Sequence, residues 1–568
     1  MRRRLAPGTP DGVTAARMTA AVPDVAASAP IDRGAALLGF AVVVLANLRY
    51  LAGLPALLDP LVSMEPFYIR MAQQPVADIL REPPAWGPLY ALWLKPFVAA
   101  LGEPLAVQAA GAWALSLAVT SVVYLHLLQH TRRAALATGG ALFVLIADGN
   151  VPLAGKTSSF ALLVLLGGWG LAWLAPRGAR RGAAMAVAAL LASYARPELF
   201  PAAVGLALLS LWRARREPRA ALAAPLAALA LMAALGATLG VPSAGGDRLF
   251  AAVREHFAWN WGAWTGEWRF FGTVWEQEFG AARSLGEALR ANPAAALHHL
   301  ASNLAGSARH LLGGAFRHVP LLAPAVPLGI ALEAWLAALA VLAVLAAAVA
   351  RPTARRRLID RHGELLLAGA IVAAPCVAAA VVVYPRPHYL LIPWVLLLSS
   401  GLLALAALLP APAARGWPLR LLAAVGCLAA VPRPFVLPTA YAAPGVPYMA
   451  RITVDRSVAD TLAVLRGLPL PRPAHVLTLT DGLGELLGPG YEEVRMWEKG
   501  DQPLADYLRD RHVDVIVTMR VGHESFVVRD DLWLLIQNDP TSVGFTPVPV
   551  PGHPEVGIFV RATPPEPR

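Results

Sequence analysis

The sequence predicts a polytopic, mainly α-helical membrane protein that carries a small α/β domain at its carboxyl end. Of its 568 residues, 57% are hydrophobic and only 15% are charged, and the mean hydropathy is +0.54. So few charged residues cannot cover the surface of a soluble protein of this size. The composition changes near residue 445, where short alternating runs typical of a globular domain begin. We therefore divide the chain into a membrane part, 33–444, and a terminal domain, 445–568.

Apolar runs that approach the length of a membrane crossing recur throughout the membrane part. A crossing helix needs about 20 apolar residues. Such runs occupy 34–54, 105–129, 134–148, 158–175, 219–241, 320–350, 365–384, 388–410 and 419–437. The stretch 183–212 is apolar on both sides of a polar break at 194–198, which predicts two shorter helices that meet at a proline-marked turn. We therefore expect eleven crossings.

The positive charge of the chain indicates orientation in a membrane and not nucleic-acid binding. The formal net charge is +11, and the arginines gather in alternate loops. These loops lie near 132–133, 177–181, 213–219, 351–361 and 415–420. Cytoplasmic loops of membrane proteins carry such an excess. We expect a cytoplasmic amino terminus, with 1–32 a disordered tail and no cleavable signal, and an external terminal domain.

Two large loops, 55–104 and 242–318, then lie on the external side. The first contains an apolar segment at 88–97 that is too short to cross, so we expect an interfacial helix there. The second contains five tryptophans, namely Trp259, Trp261, Trp264, Trp268 and Trp275. We interpret them as interfacial anchors, and a groove for a lipid chain or a sugar is the alternative. The two cysteines, Cys376 and Cys427, lie in apolar runs and offer neither a disulfide framework nor a thiolate metal site.

Within the terminal domain, two runs alternate in the manner of β-strands, at 475–480 and 513–518. The segment 504–511 predicts a helix that leads into the second strand. The turn at 482–485 has two glycines but lacks the third glycine and the lysine of a phosphate loop. We interpret it as an ordinary connection between a strand and a helix.

Ionisable residues at the external ends of the spans are candidates for function, because polar groups at membrane depth are costly. Lys95, Lys156, Arg196 and Arg386 depart from the arginine pattern, and His388 follows closely on the last of them. Such a group suits the phosphate of a lipid headgroup. The alternative for Arg196 is a purely structural ion pair with Glu198. The carboxylates on the same side include Asp59, Glu65 and Asp148.

Several short motifs, taken in order, resemble those of the GT-C membrane glycosyltransferases, which include protein O-mannosyltransferases and lipid A aminoarabinose transferases. The segment 63–68 is similar to the family's acidic motif, with Met64 in the place of its first acid. The segment 86–90 resembles His-Pro-Pro-Leu-Tyr, with Trp86 in the place of histidine. Segments 195–198 and 387–393 resemble an Arg-Pro-Glu turn and an Arg-Tyr-Leu-Leu-Pro span start, and 506–517 is similar to the attached soluble domains.

The resemblance implies an inverting transfer of a sugar from a polyprenyl-phosphate donor to a lipid, glycan or protein acceptor at the periplasmic face of a bacterial inner membrane. Glu65 matches the retained acid and would be the base, with Asp59 as the alternative. Asp148 would be a second acid or a metal ligand, or else a solvated loop residue. The implied donor-phosphate site contains Lys156, Arg196, Arg386 and His388, and the implied substrate cavity contains Tyr68, Trp86, Tyr90 and Glu198. The expected cofactor is at most a divalent cation.

Two other hypotheses fit the same charged cavity. One is a transporter or flippase of lipid-linked sugars, although such proteins commonly contain internal repeats and the sequence shows none. The other is an inactive relative that serves as an assembly subunit, which the Met64 substitution would explain. Incorporation of sugar from a labelled donor separates the enzyme from both alternatives.

Overall fold

The structure is a computed structural model, and it describes most of the chain. The described residues are 31–51, 65–83, 86–147, 156–242, 247–267, 269–312, 332–386, 388–410, 417–430, 457–478, 483–488, 490–500, 502–518, 531–554 and 556–562. This part of the chain is mainly helical, and a small sheet lies near its carboxyl end.

The first half of the membrane part folds into ten helices within the described ranges. They are α1 (Arg33–Leu51), α2 (Glu65–Gln73), α3 (Val76–Ile79), α4 (Pro88–Leu101), α5 (Pro104–Thr131), α6 (Ala134–Leu145), α7 (Lys156–Ala172), α8 (Ala179–Ser193), α9 (Phe200–Ala214) and α10 (Ala223–Leu239). A short 3-10 turn, Pro197–Leu199, joins α8 to α9, and another, Arg219–Leu222, leads into α10.

The second half continues with eight helices in its described ranges. They are α11 (Asp247–Thr265), α12 (Phe271–Phe279), α13 (Leu285–Ala291), α14 (Pro293–Leu312), α15 (Leu332–Ala350), α16 (Pro352–Val382), α17 (Leu391–Leu408) and α18 (Trp417–Ala430). Each apolar run identified in the sequence coincides with a helix over its described residues.

Five helices in the described part of the chain are long and apolar enough to cross a membrane. They are α1, α5, α10 with its leading turn, α16 and α17. Helices α4, α6 and α7, and the apolar parts of α15 and α18, are shorter. Over its described residues the structure therefore confirms a mainly helical chain with helices that could span a membrane, whereas the eleven crossings stay a prediction.

Helix α16 begins earlier than the sequence predicted, at Pro352 and not near residue 365. Proline is favoured at the first position of a helix, where its missing N–H costs no hydrogen bond. Ala354, Leu358 and Leu365 form a buried stripe along the helix, while Arg355 and Arg361 are exposed. An amphipathic stripe of this spacing extends a helix beyond its apolar core. The arginines of this region therefore lie on helical turns and not in a loop.

The arginine-rich turns meet at one end of the helical bundle. Glu364 of α16 pairs with Arg181 of α8 at 3.6 Å and with Arg213 of α9 at 3.1 Å. Lys156 begins α7, Arg196 follows α8, and Arg386 follows α16. The opposite end of each of these helices adjoins an arginine-rich turn, so the three cations lie at the end of the bundle away from those turns. We call the two ends the arginine end and the cation-cluster end. Which side of a membrane each end faces stays a prediction.

The described residues of the loop 242–318 are mainly helical and contribute to a separate hydrophobic cluster. Phe257 and Trp261 of α11 are buried against Trp275 and Phe279 of α12. Side chains four residues apart share one face of a helix, so a second helix can cover both. This packing differs from the expected interfacial anchoring, because two of the five tryptophans are buried in a protein core. Trp268 lies outside the described residues.

The terminal domain contains helices on a mixed five-stranded sheet. Its elements are α19 (Ser457–Gly467), β1 (Ala474–Thr478), α20 (Leu483–Leu487), β2 (Tyr491–Arg495), α21 (Leu504–Asp510), β3 (Val515–Thr518), α22 (Asp531–Asn538), β4 (Phe545–Pro549) and β5 (Gly557–Arg561). The strand order is β2-β1-β3-β5-β4, in which β1 is parallel to β2 and β3, and β5 is antiparallel to β3 and β4.

The structure confirms both predicted strands and the predicted helix of this domain, as β1, β3 and α21. Strands β2, β4 and β5 were not identified from the sequence. Strand β2 carries three charged residues in five positions, and β4 contains two prolines, so neither has the apolar character of a central strand. Both lie at the edges of the sheet, where such residues are tolerated.

The terminal domain packs against the membrane part. Helix α20, which follows β1 directly, contacts α2, the helix that begins at Glu65. Leu105, at the start of α5, packs against the hydrophobic cluster of the domain. The domain therefore covers the end of the bundle at which α2 and the first turn of α5 lie.

Candidate functional site

Three cations and a histidine from separate parts of the sequence come together at the cation-cluster end. Lys156 is 2% exposed although it begins a helix, and Arg386 and His388 occupy the turn between α16 and α17. Burial lowers the pKa of His388 well below its usual value, and the charges of Arg386, Arg196 and Lys156 lower it further, in that order. Such effects require charges close to the ring. The structure thus brings together all four residues of the expected phosphate site, while their role stays a prediction.

Arg196 is held by an ion pair and an aromatic ring. Its Nε donates to Glu198 Oε1 at 2.6 Å, and Nη2 contacts the same carboxylate. The guanidinium carbon lies 4.6 Å from the centre of the Tyr389 ring, within the range of a cation–π contact. The ion pair between Arg196 and Glu198, which was the alternative to a phosphate-binding role, is therefore present in the fold.

Arg386 is oriented by residues of the loop 242–318. Its Nη2 donates to His256 Nε2 at 2.9 Å, and its guanidinium lies 5.0 Å from the centre of the Trp259 ring and 5.9 Å from that of Tyr389. The Tyr389 ring is thus shared by Arg386 and Arg196. This arrangement fixes the positions of two guanidinium groups relative to one another through a single aromatic side chain.

The tautomer of His256 follows from its two hydrogen bonds. Its Nδ1 lies 2.6 Å from Ala252 O, a carbonyl that can only accept, so Nδ1 carries the proton. Nε2 is then an acceptor for Arg386. Burial lowers the pKa of His256 well below its usual value, and Arg386 lowers it further, which keeps the ring neutral as this contact requires.

The turn that carries Arg386 is anchored from the other side by α14. His299 Nε2 donates to Val382 O at 3.1 Å, and Asn303 Nδ2 donates to Val381 O at 3.0 Å and to Val383 O at 3.2 Å. These carbonyls belong to the last residues of α16, which have no partner within the helix. Buried side chains therefore hold the end of α16 three residues before Arg386.

Aromatic residues of the first external loop pack beside the cation cluster. The ring centres of Tyr68 and Tyr90 are 5.1 Å apart, and those of Tyr90 and Phe160 are 5.8 Å apart. Phe160 lies one turn after Lys156 on α7. The rings of Trp86 and Phe67 are 5.1 Å apart on the same wall. The expected cavity residues Tyr68, Trp86 and Tyr90 are thus brought to the helix that carries Lys156.

Two motifs that are distant in the sequence meet at Gly87. Its φ is +70°, and a Cβ added there would lie 2.9 Å from Ala195 O. Leu89 N donates to Tyr194 O at 3.3 Å in the same contact. A glycine is needed here because it accepts the left-handed conformation and permits the close approach of the two backbones. The segments 86–90 and 195–198 therefore form one unit of structure.

The structure leaves the expected carboxylates largely undescribed. Asp59 and Asp148 lie outside the described residues, and Glu65 begins α2 with a side chain that is not described. Glu198 is engaged by Arg196. Within the described ranges, no group of three or more His, Cys, Asp or Glu side chains is arranged to hold a metal ion. The base and the divalent cation therefore stay predictions.

Lys95, the fourth cation that departs from the arginine pattern, has a structural role. Its Nζ donates to Ala72 O at 3.2 Å and to Gln74 O at 2.5 Å, at the carboxyl end of α2. A cation is favourable there, because the last carbonyls of a helix carry partial negative charge. Lys95 therefore fastens α2 to α4 and does not belong to the cation cluster.

Sequence reasoning missed His256 and Phe160, and it did not connect Trp259 or Tyr389 to the cation cluster. The only signal near His256 was the aromatic run that follows it, and nothing in the sequence connected that run to Arg386. The comparison with known proteins adds no family: no family model matches the chain, and no curated protein matches it.

Proposed function

We propose that the protein is a membrane glycosyltransferase that transfers a sugar from a polyprenyl-phosphate donor to a lipid, glycan or protein acceptor. The observation that supports this best is the convergence of Lys156, Arg196, Arg386 and His388 at one end of a membrane helical bundle. Several cations gathered at one place favour an anion, and in this setting we propose the phosphate of a lipid.

In the proposed reaction, the acceptor nucleophile attacks the anomeric carbon of the sugar on the face opposite the phosphate. A bond forms between acceptor and sugar as the bond from the anomeric carbon to the phosphate oxygen breaks. Glu65 takes the proton of the acceptor, and the cation cluster stabilises the negative charge on the departing phosphate. This arrangement gives inversion at the anomeric carbon.

The packing of the fold supports a shared site for donor and acceptor. Tyr68 and Phe67 lie on α2, the helix that begins at Glu65, and contact the aromatic wall beside Lys156. The terminal domain contacts α2 through α20. We propose that this domain covers the reaction on the periplasmic side of a bacterial inner membrane.

The test is transfer of labelled sugar by the purified full-length protein in liposomes that contain a polyprenyl-phosphate sugar. We expect label to appear in a membrane acceptor with wild-type protein and to be strongly reduced with Arg386→Ala. Movement of labelled donor across the bilayer without transfer would support the flippase hypothesis. Donor binding without either activity would support the inactive assembly subunit.

A further inference from the structure

A second polar cluster lies at the arginine end of the bundle, away from the proposed active site. His126 and His130 are one turn apart on α5 and are 3% and 7% exposed, and His362 lies on the first part of α16. The ring centres of His126 and His130 are 4.7 Å apart, and those of His130 and His362 are 6.0 Å apart. We call these three residues, with Arg181, the histidine cluster.

Each member of the histidine cluster has a shielded nitrogen with no hydrogen-bond partner among the described residues. These atoms are His126 Nδ1, His130 Nε2, His362 Nδ1 and Arg181 Nε. A buried polar atom without a partner costs free energy, so native proteins rarely keep several together unless water or a ligand completes them. Four such atoms in one cluster indicate a binding site.

Arg181 is held rigidly while its Nε stays unused. Its Nη2 donates to Ala175 O at 2.9 Å, its Nη1 lies 3.6 Å from Glu364 Oε2, and its guanidinium carbon lies 4.1 Å from the centre of the Trp173 ring. Trp173 in turn contacts the ring of His130, at 4.4 Å between centres. The side chain is therefore positioned beside the histidines by contacts that leave one donor for a ligand.

The chemistry of these nitrogens favours an oxyanion. Arginine Nε can only donate, and each neutral imidazole offers one N–H. Glu364 is already engaged by Arg181 and Arg213, and Arg177 acts electrostatically on both His362 and Glu364. Cations so close would repel a divalent metal, and the described residues form no metal-binding group. A ligand that accepts hydrogen bonds and carries negative charge fits these donors best.

The surface around the cluster identifies the source of that anion. Leu171 and Leu174, on either side of Trp173, are 70% and 81% exposed. Ile359, one turn before His362 on α16, is also exposed. Apolar side chains exposed beside a polar site in a membrane protein contact acyl chains, and basic sites between helices bind anionic headgroups. The ligand thus combines a phosphate with hydrocarbon chains.

We propose that His126, His130, His362 and Arg181 bind the phosphate of an anionic phospholipid at the arginine end, in the leaflet opposite the donor site. The acyl chains of this lipid lie against Leu171, Leu174 and Ile359. The proposal is independent of the proposed function, because it uses none of the residues of the cation cluster.

The test uses full-length protein in nanodiscs of phosphatidylcholine with a minor fraction of phosphatidylglycerol. Native mass spectrometry of the released protein measures which lipid it retains. The variants are His130→Leu and His362→Leu, and the matched control is Arg180→Gln, an exposed arginine beside Arg181. The histidine variants should fold, because the nitrogens removed have no partner among the described residues and their loss leaves no known acceptor unsatisfied.

We expect wild type and Arg180→Gln to retain phosphatidylglycerol selectively, and each histidine variant to bind it at least about tenfold more weakly, as the loss of a charge-assisted hydrogen bond predicts. Thermal stability in phosphatidylcholine alone should not fall. Inorganic phosphate is the second probe: histidine-dependent stabilisation by phosphate alone would support the phosphate site and identify free phosphate as its source. Equal lipid retention by wild type and both histidine variants, or no preference for phosphatidylglycerol, would overturn the proposal.

Discussion

Arg386 donates a hydrogen bond to His256 across a separation of 130 residues, and this contact joins the turn after α16 to the helical loop 242–318. The histidine can accept because its other nitrogen donates to Ala252 O. A residue in a turn between two apolar helices is thus oriented by a polar side chain from a separate folded unit. Several of the predictions below depend on this relationship and on the neighbouring contact at Gly87.

The cation cluster should be necessary for donor binding. Charge-assisted hydrogen bonds contribute about 1.5–3 kcal/mol each, so Arg386→Ala or Lys156→Ala should weaken binding of a polyprenyl-phosphate sugar by roughly 10- to 150-fold. Arg290→Ala is the control, because Arg290 is an exposed arginine of the loop 242–318 and lies outside the cation cluster. Donor affinity is measured by titration of the protein in detergent. Unchanged affinity in folded forms of both variants would remove the phosphate assignment.

Glu65 should act as the base. Glu65→Gln keeps the size of the side chain but cannot take a proton, so turnover should fall by about 10²-fold or more while donor affinity persists. Single-turnover sugar transfer and donor titration measure the two quantities separately. If Asp59→Asn abolishes transfer and Glu65→Gln does not, the base is Asp59.

His256 should make the free energy of unfolding depend on pH at values below the ordinary pKa of histidine. In the unfolded chain the ring binds a proton near pH 6.5, whereas in the fold its pKa lies well below that value, through burial and Arg386. The stabilisation of the folded state by the neutral His256 ring is therefore complete above about pH 6.5. It is lost as the pH falls toward the folded pKa, at up to about 1.4 kcal/mol per pH unit, because the unfolded chain binds the additional proton.

The comparison for this prediction is His256→Gln, whose amide oxygen can accept from Arg386 without titrating. Wild type should lose more stability than the variant when unfolding is measured between about pH 7.5 and pH 5. The groups around His256 include His299 and Tyr384. The pKa of His299, which burial lowers to about 4, adds the same slope to both proteins and cancels in the difference. Parallel curves would contradict the assigned contact.

Gly87→Ala should destabilise the membrane part more than Gly102→Ala does. The two glycines flank α4 and share a φ of +70°, but a Cβ at position 87 would meet Ala195 O, whereas one at position 102 has nothing within 4 Å. Both substitutions carry the strain of a positive φ, which is about 1–2 kcal/mol in the left-handed conformation that Gly87 adopts. The clash at Gly87 should add about 1–3 kcal/mol. Equal losses in denaturant unfolding would show that the backbones are not in close contact.

Topology should follow the arginine pattern. A reporter that is active only outside the cytoplasm should be active when fused after Arg568, and cysteines introduced in place of Arg215 and Arg356 should react only from the cytoplasmic side. The labelling uses a background without Cys376 and Cys427. A carboxyl-terminal reporter active only in the cytoplasm would contradict the expected odd number of crossings.

The sequence by itself determined the mainly helical class, the positions of the apolar helices and a terminal region that combines helices with strands. Each of these depends on local pattern: apolar runs predict helices wherever they occur, and alternation predicts strands such as β1 and β3. The departure of Lys156, Arg196 and Arg386 from the arginine pattern was also visible without a structure, because it depends only on which loops carry charge.

Only the tertiary structure decided which of these residues meet. The contact of Gly87 with Ala195, the partnership of Arg386 with His256 and the Tyr389 ring between two guanidinium groups join segments that no periodicity connects. Lys95 has the same charge as Lys156, yet it fastens a helix end, while Lys156 is buried in the cluster. Local pattern specifies the elements, whereas the packing of helices distant in the sequence specifies the neighbours of each side chain.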